Sequence, residues 1–223
     1  MNHTLAQSSA VKIPAQGVEL NGDLNLPTDA SGLVLFAHGS GSSRHSSRNK
    51  FVASELNEAG LATLLFDLLT EEEEFRERYT RHLRFDIPLL ASRLTAASEW
   101  AGGEANLAHL PIGYFGASTG GGAALVAAAN SNRPIGAVVS RGGRPDLAGS
   151  ALPRVQSPTL LIVGGNDDIV IEMNQEALRQ LRCEKQMQIV PGATHLFEEP
   201  GALEEVARLA REWFEQHLSS SRQ

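Results

Sequence analysis

Three residue types, in one chain order, raise the question of chemistry. Ser118 lies in the stretch IGYFGASTGGGAALVAAA (112–129), between a short apolar run and an alanine-rich one. Within it, Gly116-Ala117-Ser118-Thr119-Gly120 spells Gly-x-Ser-x-Gly. The apolar run suits a buried strand and the alanine-rich run a helix, so Ser118 falls at a sharp strand-to-helix turn. Such a turn projects the serine oxygen above the sheet edge. Side chains two residues before and after it would collide with the neighbouring strand and helix. That accounts for Gly116 and Gly120. Gly121 and Gly122 are left unexplained, and they weaken the first turn of the helix. A helix N-terminus also presents unpaired N–H groups and a dipole that favour developing negative charge.

A bare serine is a poor nucleophile at neutral pH and needs a base, itself oriented by a carboxylate. In a strand–turn–helix arrangement the expected chain order is serine, acid, histidine, each at the C-terminal end of a strand. LLIVGGNDDIV offers Asp167 and Asp168, and IVPGATHLFEEPG offers His195 ahead of the last helix. A tetrahedral oxyanion needs two amide donors. One is expected from Thr119, directly after the serine. The other is expected from Ser40, with Gly41 possible, in the glycine-rich HGSGSS loop. His38 in that loop reads as structural. His3, His45, His82, His109 and His217 have no partner pattern. No cluster has metal-ligand spacing, so neither metal nor other cofactor is expected. A phosphate-binding loop would need Lys followed by Ser or Thr after its last glycine, and Ala123-Ala124 stands there.

The elements that must position these residues are legible as rhythm. VKIPAQGVELNGDLNLP alternates apolar and polar residues and predicts two short antiparallel strands at a sheet edge. Unbroken apolar runs follow at 32–39, 61–67, 110–116, 135–140 and 158–165, with a weaker sixth at 185–192, as in strands buried on both faces of a parallel sheet. Helical patterns lie between them. Phe51, Leu56 and Ala59 share a stripe that stops at Gly60. Asp86 is a candidate N-cap, followed by Leu90, Leu94 and Ala97. A helix is expected over 171–181, and Leu203, Val206, Leu209 and Trp213 stripe the last one. The expected fold class is α/β, a doubly wound, mostly parallel sheet, with residues 1–223 as a single domain. EEEEFRERYTR (71–81) reads as a solvated helix held by Glu72–Arg76, Glu74–Arg78 and Glu77–Arg81 pairs.

The 223 residues are 42% hydrophobic, enough for a sizeable core. A formal net charge of −7 argues against general nucleic-acid binding. The N-terminal stretch lacks the pattern of a signal peptide, and no apolar run nears the length of a membrane span, so a cytoplasmic location with no membrane partner is expected. A single cysteine, Cys183, permits no intrachain disulfide.

Taken from LVLFAHGSGSSRHS through GYFGASTGG and LLIVGGNDDIV to PGATHLFEEPGALEEVARLAREWF, the chain resembles the α/β-hydrolase superfamily, within it the dienelactone hydrolase-like group. The resemblance implies Ser118 as nucleophile, His195 as base and Asp167 as acid, with Asp168 as fallback. Asp146, from the earlier strand, is less well placed. True dienelactone hydrolases carry cysteine at the elbow. Ser118 looks more like the serine of a general esterase. The resemblance implies a serine hydrolase of small carboxylic esters or lactones. Rival readings are an acyltransferase or peptidase on the same triad, or a silent scaffold that binds a partner. Similar chains also occur fused to phosphoribosyltransferase domains, and none is expected within these residues. The crossover after Ser140 is too short for a cap domain, so the site should be open. Arg141 and Arg144, in that crossover, could clamp a substrate carboxylate or pair with surface acids. Oligomeric state is left open.

Overall fold

The alternating N-terminal stretch becomes two strands, β1 (Gln7–Ala15) and β2 (Val18–Leu26), paired antiparallel. Their turn places Gln16 and Gly17 at φ 48° and 84°, the twist that suits a two-residue hairpin. A computed structural model describes residues 7–218, so His3 lies outside it. The apolar runs become β3 (Leu33–Ala37), β4 (Ala62–Phe66), β5 (Ile112–Ala117), β6 (Ile135–Arg141) and β7 (Thr159–Gly164), buried along nearly their whole length. The weaker sixth run is β8 (Lys185–Val190), half open to solvent as an edge strand. The sheet order is β1-β2-β4-β3-β5-β6-β7-β8, parallel from β4 to β8.

Among the described residues there are six α-helices, α1 (Ser47–Glu58), α2 (Glu71–Thr80), α3 (Ile87–Gly103), α4 (Thr119–Asn130), α5 (Asp168–Gln180) and α6 (Ala202–Leu218), and all but α2 cover the faces of the sheet. One core cluster joins the sheet to α1 and α6, the other to α3, α4 and α5. The sheet is thus doubly wound, as expected. Asp86 does cap α3, accepting from the Leu89 amide at 3.0 Å. Leu90, Leu94 and Ala97 face the core as read. The stripe of α1 shifts: Val52, Ala53 and Leu56 are buried, Phe51 packs at the margin, and Ala59 is already the C-cap. No helix among the described residues is long and apolar enough to cross a membrane.

The acidic run is more specific than a solvated helix. Glu72 and Arg76 do pair. Glu73 closes a capping box with Thr70 and also bonds the buried Arg93 at 2.9 Å. Glu74 pairs with Arg84, and the Arg78 side chain of the expected Glu74–Arg78 pair lies outside those described. Glu77 has no exposed surface and does not meet Arg81. Its carboxylate accepts from the His82 and Arg84 amides, both at 3.0 Å, and from the Thr80 hydroxyl at 2.6 Å. The expected Glu77–Arg81 pair fails because the chain turns back at Arg81, which is left-handed (φ 51°). That leaves amides for Glu77 to satisfy.

Desolvation pushes the Glu77 carboxyl up, but the Thr80 hydroxyl and the Leu83, Arg84 and His82 amides outweigh it and hold it down to about 2. A depressed carboxyl contributes stability that is complete above its unfolded value and fades as pH falls through its folded one. Urea-unfolding midpoints should therefore fall between about pH 4.5 and 2. Glu77→Gln should be less stable at neutral pH and show a flatter acid limb.

Candidate active site

Ser118 adopts φ 51°, ψ −121° between β5 and α4, a region that costs a non-glycine residue about 1–3 kcal/mol. Backbone bonds on both sides hold it there. Its amide donates to Arg141 O at 3.2 Å, and its carbonyl accepts from the Gly121 and Arg144 amides, both at 3.0 Å. The glycines around it are contact surfaces. A Cβ on Gly116 would overlap Gly120 O and lie 2.6 Å from Gly121 Cα. One on Gly120 would overlap Ala37 O and lie 2.7 Å from His38 O. Gly121 and Gly122, unexplained by the motif, face the other way. Added Cβ atoms there would lie 2.5 Å from Ser140 Oγ and 2.7 Å from Arg144 O. They let α4 seat against the crossover that leaves β6.

Asp167 and His195 meet from adjacent strands: Nδ1 of His195 lies 2.7 Å from Oδ2 of Asp167. Asp167 occupies the N-cap of α5 yet makes no side-chain cap bond. Its carboxylate goes to the imidazole instead. The two loops are tied by the Gly165 amide to Val190 O, the Asn166 amide to Ala193 O, and Asn166 Nδ2 to Gly192 O, at 2.8, 2.9 and 2.9 Å. Gly164 permits the approach, since a Cβ there would lie 2.5 Å from Ala193 O and 2.6 Å from Thr194 O. Gly142 brings the imidazole toward the elbow. It follows Arg141, whose carbonyl holds the Ser118 amide, and its own Cβ would lie 3.5 Å from His195 Cε1. Among the described residues no hydrogen bond joins Ser118 Oγ to His195, in keeping with the looser spacing common before substrate binds. Asp168 is exposed at the first position of α5, and Asp146 is engaged by Arg144 through two bonds of 2.9 and 2.7 Å.

The Thr119 amide opens α4, among the amides a helix leaves without an internal acceptor. The Ser40 amide, the second donor expected from the sequence, is engaged by Thr119 Oγ1 at 2.9 Å. Gly41 follows at φ 71°. His38 holds the loop from beneath. Its Nδ1 donates to Gly39 O at 3.0 Å and its Nε2 accepts from the Leu68 amide at 3.1 Å. Only the neutral imidazole can do both. Burial pushes its pKa down, against the pull of Gly39 O and of Asp67 and Glu74.

Sequence reasoning missed Asn174, Gly164 and the Thr119 hydroxyl. Asn174 is fully buried on α5 and donates to Gly143 O at 3.1 Å and Val170 O at 2.8 Å, bracing the turn beside His195. A polar residue among the apolar positions of α5 was its only signal. Beyond the HGSGSS loop lies a cleft of about 550 Å³, bounded by Ser42, Ser43, His45, Asp67 and Glu74. Ser118 and His195 do not line it. Cys183 sits next to Thr159, the first residue of β7, at the opposite end of the strands from Ser118.

Two outcomes follow. Gly120→Ala should destabilise the fold by about 1–3 kcal/mol or more, the cost of overpacking, read as a fall in the urea midpoint. For His38, the unfolded imidazole takes up a proton first as pH falls. Its stabilisation is therefore complete above about 6.5 and shrinks below it. Imidazole NMR should find His38 neutral and Nδ1-protonated at pH 6.5, and His38→Ala should reduce the pH slope of stability just below that value.

Similarity to known proteins bears on the family and the fold. Residues 30–210 match the family model described as an alpha/beta hydrolase domain. The crystal structure of dienelactone hydrolase from Anabaena variabilis is 61% identical, with a TM-score of 0.95, and the match covers 96% of this chain and 100% of that one. A cold-adapted esterase from an Arctic intertidal metagenomic library shares the fold, at 17% identity and a TM-score of 0.76 over 98% of this chain and 97% of that one. A Mycobacterium tuberculosis protein provisionally named a phosphoribosyl transferase is 58% identical over 93% of this chain. The chain spans 46% of that relative's length. With its doubly wound sheet, its strained serine between β5 and α4 and this family match, the chain belongs to the alpha/beta hydrolases, in the dienelactone hydrolase-like group.

Proposed function

We propose that the chain is a serine hydrolase of small carboxylic esters or lactones, working through an acyl-enzyme on Ser118. The observation that carries this reading is the 2.7 Å bond from His195 Nδ1 to Asp167. It leaves Nε2 as the basic nitrogen, and it uses a carboxylate that would otherwise cap a helix. Nε2 takes the Ser118 proton as Oγ bonds to the substrate carbonyl carbon. The carbonyl oxygen gains the negative charge and is met by the Thr119 and Ser40 amides, with Thr119 Oγ1 yielding the latter. The intermediate collapses, the C–O bond to the leaving group breaks, and His195 returns the proton to that oxygen. Water, deprotonated by the same nitrogen, then attacks the acyl carbon and frees Ser118.

The crossover between β6 and β7, residues 142–158, holds two short 3-10 turns within Pro145–Arg154, kinked at Gly149 (φ 47°), and no cap. An open site suits small, varied acyl groups. Ile169 and Leu196, 69% and 41% exposed beside the acid and the base, offer apolar surface at the rim. The 61% identical dienelactone hydrolase supports an ester or lactone bond as the target. The transferase name belongs to a relative about twice as long, whereas Ser118, Asp167 and His195 all fall inside the matched hydrolase span. We place the activity in the cytoplasm.

A fluorophosphonate probe should label one residue, Ser118, as read by mass spectrometry. Turnover of p-nitrophenyl butyrate should fall at least about 10³-fold in Ser118→Ala and His195→Ala, and about 10²- to 10⁴-fold in Asp167→Asn. Full esterase activity in Ser118→Ala would falsify the reading.

A further inference from the structure

The cleft of about 550 Å³ beyond the HGSGSS loop plays no part in the steps above. Its volume suits a small-molecule ligand. It opens at the C-terminal ends of β3 and β4, where His38 and Asp67 follow their strands. The connections into and out of β4, α1 and α3, lie on opposite faces of the sheet. The chain therefore switches direction beside β3, and ligands of open α/β sheets gather at such points. The cleft is also close to the elbow. Gly39 packs on Ser118, since a Cβ there would lie 3.2 Å from Ser118 Cβ. Gly41, two residues on, lines the cleft, and two residues of backbone span at most about 7 Å. A narrow gap lined by Ser40, Gly41, Leu69 and Thr119 runs between the two regions. A substrate held at Ser118 needs a few bonds to reach across.

The lining is polar, and most of its charge is balanced within the protein. Arg44 donates to Asp67 from both its amide and its guanidinium, and its Nε lies 3.5 Å from Asp23. Arg84 pairs with Glu74 at 2.7 Å. Glu71, exposed in the first turn of α2, accepts a 3.4 Å bond from Asn21. Among the described residues nothing engages the Ser42 hydroxyl or the His45 ring. A carboxylate entering this cleft would meet Asp67, Glu71 and Glu74 together. A hydroxyl meets no such repulsion. It donates to carboxylate oxygens that keep free lone pairs, and it accepts from a serine hydroxyl or a guanidinium. Leu69, 3% exposed, gives an apolar floor for the C–H face of such a group.

We propose that this cleft binds a neutral, hydroxyl-rich group, and that the substrate is an ester or lactone of a polyhydroxylated acid. The substrate class rests on the hydrolase reading, but the binding site does not. Sheet order assigns the two halves of the ester. In that reading His195 returns a proton to the leaving oxygen, so the leaving oxygen faces the β8 side. β3 and β4 lie on the other side of β5, so the half that reaches the cleft is the acyl half.

Three lactones of one ring size separate the terms: γ-valerolactone, apolar; galactono-γ-lactone, hydroxylated; and γ-carboxy-γ-butyrolactone, anionic. Proton release by the native chain should favour the hydroxylated ring over the apolar one by about tenfold or more in kcat/KM, with the anionic ring slowest. Ser42→Ala and Glu71→Gln should each cut that preference by about 2- to 10-fold, the range for one hydrogen bond. Galactitol, a neutral polyol, is titrated into Ser118→Ala protein at millimolar concentration. It should move the imidazole NMR signals of His45 and not those of His109, which precedes β5 at the other end of the strands. Galactitol binding with no turnover of any lactone or of p-nitrophenyl butyrate would sink the hydrolase reading and leave this site standing. Turnover of p-nitrophenyl butyrate with no gain from the lactone hydroxyls, and no movement at His45, would overturn the proposal. So would a hydroxyl preference that both variants leave unchanged, because the group would then be bound elsewhere.

Discussion

Backbone lies directly on backbone at the Ser118 elbow, and the rest of the molecule is arranged around that contact. Gly116 meets Gly120 and Gly121, while Gly120 meets Ala37 and His38 across the sheet. These approaches fix three elements to one another with no side chain between them: β5, the start of α4 and the end of β3. The loop that carries Ser40 leaves β3 at this contact, so its amides are positioned by the same packing that strains the serine. On the other side, Gly121 and Gly122 admit the crossover that carries Arg141 and Gly142 toward His195. The strain at Ser118 persists because its surroundings over-determine it.

A second constraint operates at the acid and base. Asp167 and His195 sit on loops that could move independently, since β8 is an edge strand. Three hydrogen bonds and the bare surface of Gly164 prevent that. Asn174 extends the brace to Gly143, so both loops and the crossover share one polar scaffold.

Much of this was legible in residue order. Buried parallel strands announce themselves as unbroken apolar runs, and each run became a strand. The order serine, aspartate, histidine at successive strand ends was visible without coordinates, as was the Asp86 cap. What stayed hidden depends on the third dimension. The choice of Asp167 over Asp168 follows from which carboxylate faces β8. Gly121 and Gly122 make sense only once the crossover is seen lying on them. The acidic run misled because helical spacing promised pairs within it. Instead the chain reverses at Arg81, and Glu77 turned out to be a buried acceptor for amides. The Ser40–Thr119 bond joins residues 79 apart, beyond the reach of any local pattern.

The proposed nucleophile and its proposed base are anchored in parts of the sheet of unequal depth. Ser118 leaves β5, which is paired on both sides, whereas His195 leaves β8, which has one neighbour and a partly wetted outer face. Native proteins open first where burial is thin and hydrogen bonds meet solvent, and last at their central strands. Warming therefore separates two events that a single melting curve would merge. The imidazole loses its place while the elbow still stands, so loss of the proposed activity marks the loosening of one edge and not the collapse of the fold.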